Sequence, residues 1–174
     1  SGATVSSLFS SNFSDSTDTV SGGSSANTLA GIAITSYTRD ATKGEWQYST
    51  NGSSWTTIGS SISAASSSLT FKSTDYLRFL PAANWNGSAP TLTVALIDSS
   101  TTVTTNATVD VSTRGGTTAY SSSTVTLSNT VNAVNDAPTI ISSTATLDAV
   151  NEDSTPSGAT VSSLFSSNFS DSTD

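Results

Sequence analysis

Apolar residues alternate with serine and threonine in short runs along most of the chain, and residues that favour turns separate the runs. Leu92, Val94 and Leu96 form one such run, and Ile32 and Ile34 form another. Alternation with a period of two is typical of a β-strand that buries one face. With turn signals roughly every 8–12 residues and no long helical pattern, the chain is predicted to be all-β, with two antiparallel sheets packed as a β-sandwich.

Two local patterns predict individual elements. Residues 45–49 and 54–58 flank Asn51 and Gly52, a pair that favours a hairpin with a type I′ turn, because both central residues of that turn need a positive φ angle. Residues 4–9 place three apolar side chains at helical spacing behind Thr4. We therefore expect one short helical turn that is capped by the threonine hydroxyl.

A repeated segment determines the predicted domain organisation. Residues 1–18 recur letter for letter as residues 157–174, so the second copy begins 156 positions after the first. A period of this size is closer to a free-standing domain than to a solenoid unit. We interpret the chain as one repeat of a tandem array with an overlap: residues 1–136 form a β-sandwich, and residues 137–174 form a linker and the opening segment of the next repeat.

Composition restricts how such a domain is stabilised and what it binds. Ser and Thr make up about 40% of the residues and Cys is absent, so a secreted protein of this kind depends on its core, on metal or on neighbouring modules. A net charge of −8 argues against nucleic acid and anionic membranes as partners and favours cations. No run approaches about 18 apolar residues and no signal peptide is present, so we expect neither membrane insertion nor an export signal in this segment.

Asp15 and Asp18 lie three residues apart in a serine-rich loop. Their carboxylates can converge on one hard cation such as calcium, which takes about 6–8 oxygen ligands. Short Asp-Ser stretches also form solvated turns in which the carboxylate accepts hydrogen bonds from nearby backbone N–H groups. Both interpretations stay open from the residues alone.

Residues 132–138, which read NAVNDAP, form a predicted joint. Pro138 lacks an N–H group and keeps the preceding residue extended, so a central strand cannot continue through it. An acidic stretch, residues 151–153, follows the joint. A half-buried strand is predicted to lead up to the joint through Val125, Leu127, Val131 and Ala133.

AVNDAP followed by NEDS resembles the boundary between tandem cadherin-like or Ig-like repeats of very large bacterial surface adhesins, including those of the repeats-in-toxin class. The series GIAIT, GEWQYSTNGSSW, LRFLP, NWNG and RGGTTAY is similar in order and wording to one class of these repeats. The resemblance implies a Greek-key β-sandwich of the cadherin-like or Ig-like type. It also implies that calcium stiffens the joints between neighbouring repeats.

The resemblance further implies a function and a set of metal ligands. We expect a calcium-stiffened extender module at the extracellular bacterial cell surface, with a structural role in cell adhesion and biofilm, and with neighbouring repeats as its partners. Two residues, Asp15 and Asp18, would serve the preceding junction. The oxygen ligands expected at the joint in this chain are Asn135, Asp136, Glu152, Asp153, Asp171 and Asp174.

Two other function classes were weighed against this one. A carbohydrate-binding module would use an aromatic platform, although hairpin aromatics more simply fill the core of a sandwich. An enzyme would need a base beside a nucleophile, and the chain has no His or Cys, so we expect no catalytic residues. The charged residues Asp40, Lys43 and Glu45 lie close together in the sequence, and an exposed charged turn explains their proximity without any catalytic role.

The aromatic residues considered for the carbohydrate platform are Trp46, Tyr48, Trp55 and Trp85.

A final expectation concerns the first strand of the repeat. Residues 139–156 precede the repeated segment at its second occurrence, whereas residue 1 already lies in the first occurrence, so the first sandwich is expected to lack its opening strand. We expect a neighbouring copy to donate that strand, head to tail. Because such exchange does not close on itself, an alternative function is that of a subunit in an extracellular filament. The alternatives are that the segment folds back on its own sandwich or forms an isolated hairpin. The donated apolar residues would be Ile140, Ile141, Ala145, Leu147 and Val150.

Overall fold

A computed structural model of the chain describes residues 2–16 and 25–171. The chain divides into two compact units, Ser1–Val131 and Asn132–Asp174. None of the helices within the described ranges has the length and apolar character needed to cross a membrane.

The first unit is an antiparallel β-sandwich, which confirms the predicted fold class. One sheet has the strand order β1, β6, β3, β4, formed by Ala3–Thr4, Tyr76–Pro81, Gly44–Ser49 and Thr56–Thr57. The other has the order β10, β8, β2, β5, β9, formed by Tyr120–Leu127, Leu92–Asp98, Leu29–Tyr37, Ser68–Lys72 and Ala107–Val109. A small additional pair is formed by β7, Gly87–Ser88, and β11, Thr130–Val131.

The main core lies between the two sheets. Its buried side chains come from both sheets and from the short N-terminal helix, and they include Val5, Phe9, Ile32, Ile34, Trp46, Phe71, Leu77 and Val94. A smaller cluster covers the opposite face of the five-stranded sheet, with Ala33, Ile97, Val103 and Val111. Because both faces of β2 and β8 are covered, these central strands are buried almost continuously rather than on alternate residues.

The predicted helical turn is confirmed. Helix α1 spans Val5–Phe9, and the Oγ1 of Thr4 accepts a hydrogen bond from the backbone N–H of Ser7 at 3.1 Å. This bond satisfies one of the N–H groups that have no partner inside the helix. A single 3₁₀ turn, Ser10–Asn12, continues directly from α1.

The predicted hairpin is also present, but its predicted type I′ turn is wrong. Strands β3 and β4 pair with Tyr48 opposite Thr56, which leaves a loop longer than two residues. Gly52 has a φ of +72°, whereas Asn51 does not have a positive φ. The Asn51 Oδ1 instead accepts hydrogen bonds from the N–H groups of the residues two and three positions ahead, both at 2.9 Å. A side-chain acceptor closes this loop, so a tight two-residue turn is not needed.

The second unit repeats the local structure of the N-terminus. Helix α2 spans Val161–Phe165, and Thr160 caps it by accepting from the Ser163 N–H at 3.1 Å. Strand β12, Thr139–Ile140, pairs with β13, Phe169–Ser170. The two copies of the repeated segment therefore begin and end their helices at equivalent positions.

Candidate metal site in the joint

The joint, residues 132–138, is irregular and mostly exposed. The strand predicted to reach Ala133 ends earlier, because β10 stops at Leu127 and only the two residues of β11 follow it. Within the joint, the Asn135 side-chain amide donates to the Asp136 carbonyl oxygen at 2.7 Å. That bond orients the Asn135 carboxamide along its own backbone.

The acidic stretch after the joint forms a turn. The Ser154 N–H and hydroxyl both donate to the Asn151 carbonyl oxygen, at 3.3 and 2.6 Å. Asp153 sits inside this turn with a φ of +59°, a left-handed conformation that Asp and Asn adopt more readily than most residues. Glu152 and Asp153 are both exposed, so their carboxylates project from the turn into solvent.

The described residues do not bring the predicted ligands together. Within residues 2–16 and 25–171, no group of three or more acidic side chains is placed to hold a metal ion. Asp171 is exposed near the end of the described range, and Asp18 and Asp174 lie outside the described residues. The calcium site and its ligands therefore stay predictions.

The charge distribution along the chain distinguishes the second unit from the first. Residues 132–174 contain six of the thirteen acidic residues and none of the five basic ones. In the described part of the chain the ion pairs join Arg39 to Glu45 and Lys43 to Asp40, all within the first unit. A segment with carboxylates and no internal cation attracts cations from solution.

Asp15 has a structural role in the first unit. Its Oδ2 accepts the backbone N–H of Asn27 at 2.7 Å, and the Asn27 Oδ1 accepts the Ser99 hydroxyl at 3.2 Å. The Ser99 Oγ in turn accepts the Thr28 N–H at 3.0 Å. This chain of bonds ties the approach to β2 to the turn after β8. Asn27 lies twelve positions along the chain and the bond is partly buried, so this is a long-range contact and not the solvated local turn considered as the alternative. The role of Asp15 as a metal ligand stays a prediction.

The aromatic residues considered for sugar binding each contact the protein itself. Trp46 is buried and its Nε1–H donates to the Pro90 carbonyl oxygen at 2.6 Å. The Trp55 ring is covered by the Arg78 guanidinium, 4.1 Å from the ring centroid. The other two rings lie against phenylalanine rings: the ring centroids are 4.9 Å apart for Tyr48 and Phe71 and 5.9 Å apart for Trp85 and Phe79. These contacts account for the aromatic residues as packing.

The charged turn near Lys43 contains no carboxyl group with a raised pKa among those whose shift is resolved. A hydrogen bond from the Thr42 hydroxyl, at 2.6 Å, lowers the pKa of Asp40. Glu45 pairs with Arg39, a partner that sequence reasoning did not identify. General base catalysis near neutral pH needs a carboxyl pKa that is raised, so the lowered pKa of Asp40 works against that role. The absence of enzymatic activity stays a prediction.

Sequence reasoning missed a buried carboxylate, Asp75, in the turn between β5 and β6. Its side chain accepts the Lys72 N–H at 2.7 Å and the Thr105 hydroxyl at 2.6 Å, and the residue is almost fully buried. Its carbonyl oxygen accepts the Val5 N–H at 2.8 Å. Asp75 therefore connects a turn, a distant loop and the start of α1. Its sequence context, Ser-Thr-Asp, is that of an ordinary exposed turn, so no sequence signal pointed to it.

Comparison of the chain with protein-family models, characterised proteins and solved structures found no match. Three features of the chain itself bear on its function: the exact sequence repeat, the sandwich fold of the first unit and the acidic second unit.

Proposed function

We propose that this chain is one repeat of an extracellular extender in a giant bacterial cell-surface adhesin. Its role is structural: β-sandwich modules follow one another in tandem and hold a distant binding domain away from the cell. Calcium at the joints stiffens the array and so supports cell adhesion and biofilm formation. The resemblance of AVNDAP and NEDS to adhesin repeat boundaries motivates this assignment.

The exact recurrence of residues 1–18 as residues 157–174 carries the proposal. Both occurrences form the same threonine-capped helix, α1 and α2, with the same hydrogen bonds. In the first unit this helix forms part of a packed sandwich core. A chain that begins the same structural unit twice is typical of a tandem array of modules.

The acidic second unit supports calcium as the stiffening ion. Six carboxylates without an internal basic residue repel one another, and a divalent cation relieves that repulsion. Because the described residues hold no assembled acidic group, ion binding in this proposal is coupled to ordering of the joint. Ligands would come from Asn135, Asp136, Glu152 and Asp153, with Asp171 and Asp174 from the segment that follows.

We expect calcium to raise the melting temperature of the chain, because an ion that binds only the ordered form stabilises it. The expected gain is about 2.7 kcal/mol at a hundredfold excess over Kd. Differential scanning calorimetry in calcium and in chelator measures the shift, and isothermal titration gives the affinity. Asp136→Ala and the double change Glu152→Gln with Asp153→Asn are each expected to weaken binding.

Asp148→Ala is the matched control for Asp136→Ala. Asp148 lies in the same acidic segment but is outside the predicted ligand set, so its loss changes the net charge equally without removing a ligand. If Asp148→Ala weakens calcium binding as much as Asp136→Ala does, calcium affinity depends only on the overall negative charge of the segment. If Asp136→Ala leaves affinity and chelator sensitivity unchanged, the joint is not the site.

A chain that carries two consecutive repeats is expected to be longer and straighter in calcium than in chelator. Without the cation, the clustered carboxylates of the joint repel one another and the modules bend more freely. Small-angle X-ray scattering measures the maximum dimension under both conditions. An unchanged dimension would contradict the extender role while leaving calcium binding itself intact.

A further inference from the structure

Residues 12–14 of the first unit belong to no sheet. Asn12 ends the 3₁₀ turn that follows α1, and Phe13 and Ser14 come next, before the described approach to β2. Phe13 packs against the main core, which holds this short stretch in place, while Asn12 and Ser14 on either side are exposed. In the described part of the chain, the Asn12 side chain makes no hydrogen bond. The first unit therefore presents a short, anchored backbone segment with an available amide side chain.

The same three residues occur again as residues 168–170, and there they hold a strand. In the second unit, Thr139 pairs with Ser170 and Ile140 pairs with Phe169, in antiparallel register. The Ile141 N–H donates to the Asn168 carbonyl oxygen at 2.8 Å. These contacts show that residues 168–170 pair with residues 139–141, and they give the register of that pairing.

Asn168 acts as a clamp on the incoming segment. Its side-chain Nδ2 donates to the carbonyl oxygens of Ser142 and Thr144, at 2.8 and 2.7 Å. The clamp extends the contact beyond the two paired residues and covers residues 139–144. Asn12 is the equivalent residue of the first unit, and it has the same sequence neighbours on both sides.

A groove runs beside residues 12–15 in the first unit. Its volume is about 280 Å³, and residues 118–122, where β10 begins, also line it. Strand β10 is an edge strand of the five-stranded sheet, and Ser122 and Ser123 are exposed on it. An incoming strand therefore has a shaped space next to residues 12–14. Exposed strand edges favour pairing with an additional strand.

We propose that this groove binds residues 139–144 of a second copy of the chain, in the register seen in the second unit. Thr139 then pairs with Ser14 and Ile140 with Phe13, and Asn12 clamps the backbone carbonyls of Ser142 and Thr144. The inference rests on the pairing geometry and does not depend on calcium or on the adhesin assignment. In a tandem array, the boundary segment before each repeat would make the same contacts.

Burial favours this exchange over the pairing inside the second unit. Ile140 is 79% exposed and Ile141 65% exposed there, and the Phe169 that faces Ile140 is itself 52% exposed. In the first unit the equivalent Phe13 is part of a packed surface. Placed opposite Phe13 in the first unit of another copy, Ile140 would lie beside a ring that already packs against the core, so it would lose contact with solvent.

Cysteine cross-linking tests the register, because the native chain has no cysteine. Chains with Thr139→Cys are mixed with isotope-labelled chains with Ser14→Cys under mild oxidation. Residues that face each other on antiparallel strands have Cβ atoms about 4.5–5.5 Å apart, within reach of a disulfide. We expect a mixed disulfide dimer, identified by mass spectrometry. Ser11→Cys is the matched control, an exposed serine outside the register, and it is expected to cross-link far less.

Two equivalent asparagines test the competition between the two pairings. Asn168→Ala removes the clamp inside the second unit and frees the donor, so sedimentation velocity should show roughly tenfold tighter self-association. Asn12→Ala removes the clamp on the acceptor and should weaken association by a similar factor. Because Asn12 is exposed and its side chain has no hydrogen bond in the described structure, its replacement leaves the fold intact.

Opposite effects of the two substitutions, together with a cross-link specific to Ser14, support the proposal. Several results overturn it: a cross-link from Ser11→Cys as strong as that from Ser14→Cys, no cross-link at all, or association that responds equally to both asparagine substitutions. Monomers of Asn168→Ala at the highest soluble concentration also overturn it. Association that is weakened by Asn168→Ala alone places the contact at residues 168–170 and overturns the assignment to the first unit.

Discussion

Phe9→Ala is expected to lower the free energy of unfolding of the first unit by about 3–5 kcal/mol. Phe9 is 1% exposed and belongs to the core between the two sheets. Its removal loses the burial of an aromatic ring and leaves a cavity that the surrounding side chains only partly fill. Since domains are stable by only about 5–15 kcal/mol, this is a large fraction of the total.

Phe165→Ala is the matched control, because the two phenylalanines lie in identical sequence segments and in identical capped helices. Phe165 is 48% exposed, so its truncation opens no comparable cavity and should change the stability of the first unit by less than about 0.5 kcal/mol. Urea unfolding followed by tryptophan fluorescence reports the stability of the first unit in both variants, since all three tryptophans lie in that unit. Equal destabilisation by the two substitutions would contradict the assignment of the core.

Asp75→Ala is expected to destabilise the first unit by about 3 kcal/mol, because it takes the acceptor away from two partly buried donors. The Lys72 N–H and the Thr105 hydroxyl both lose the carboxylate that receives them. Each buried polar group left unpaired costs about 1–3 kcal/mol. Because the Asp75 carbonyl oxygen also holds the Val5 N–H, hydrogen exchange should additionally report faster opening at the start of α1.

Asp110 provides the matched comparison for Asp75. Its carboxylate also accepts one backbone N–H and one hydroxyl, both from Ser112, at 2.9 and 2.6 Å, but Asp110 is exposed. Water replaces the lost acceptor at that site, so Asp110→Ala should leave the urea midpoint nearly unchanged. A similar loss from both substitutions would show that the hydrogen bonds, rather than burial, determine the cost.

Asp110 also predicts how the stability of the first unit changes with pH. The Ser112 hydroxyl and N–H hold the pKa of the Asp110 carboxyl below its usual value. A carboxyl with a lowered folded pKa contributes stability above its unfolded pKa, and that contribution is lost as the pH falls through the folded value. The contribution is small, because the group is exposed and solvent screens it.

Much of the sandwich could be predicted from the alternation of apolar residues. Strand β8 contains the predicted run of Leu92, Val94 and Leu96, and the hairpin of β3 and β4 lies where its flanking strands were expected. The helical turn behind Thr4 was likewise predictable, because a side-chain cap and apolar spacing act over a few residues. Its repetition behind Thr160, with a 3.1 Å cap bond in both places, shows that these seven or so residues determine their own local structure.

The closure of the loop at Asn51 and the role of Asp75 were not predictable in the same way. Asn51 and Gly52 are compatible with several turn types, and the length of the loop depends on where β3 and β4 pair. Asp75 becomes an internal acceptor only because the loop that carries Thr105 folds over it. The ligand groups proposed for calcium are also separate along the chain, so their arrangement depends on how the joint folds.

The two copies of the repeated segment show most directly what the local sequence contributes and what the tertiary structure contributes. The sequence by itself determined the capped helix, since Val5 and Val161 begin the same helix at equivalent positions. Only the tertiary structure decided their burial, because Val5 is 0% exposed and Val161 is 74% exposed. The physical reason is that capping and helical hydrogen bonds join residues three or four apart, whereas burial requires sheets that residues far along the chain supply.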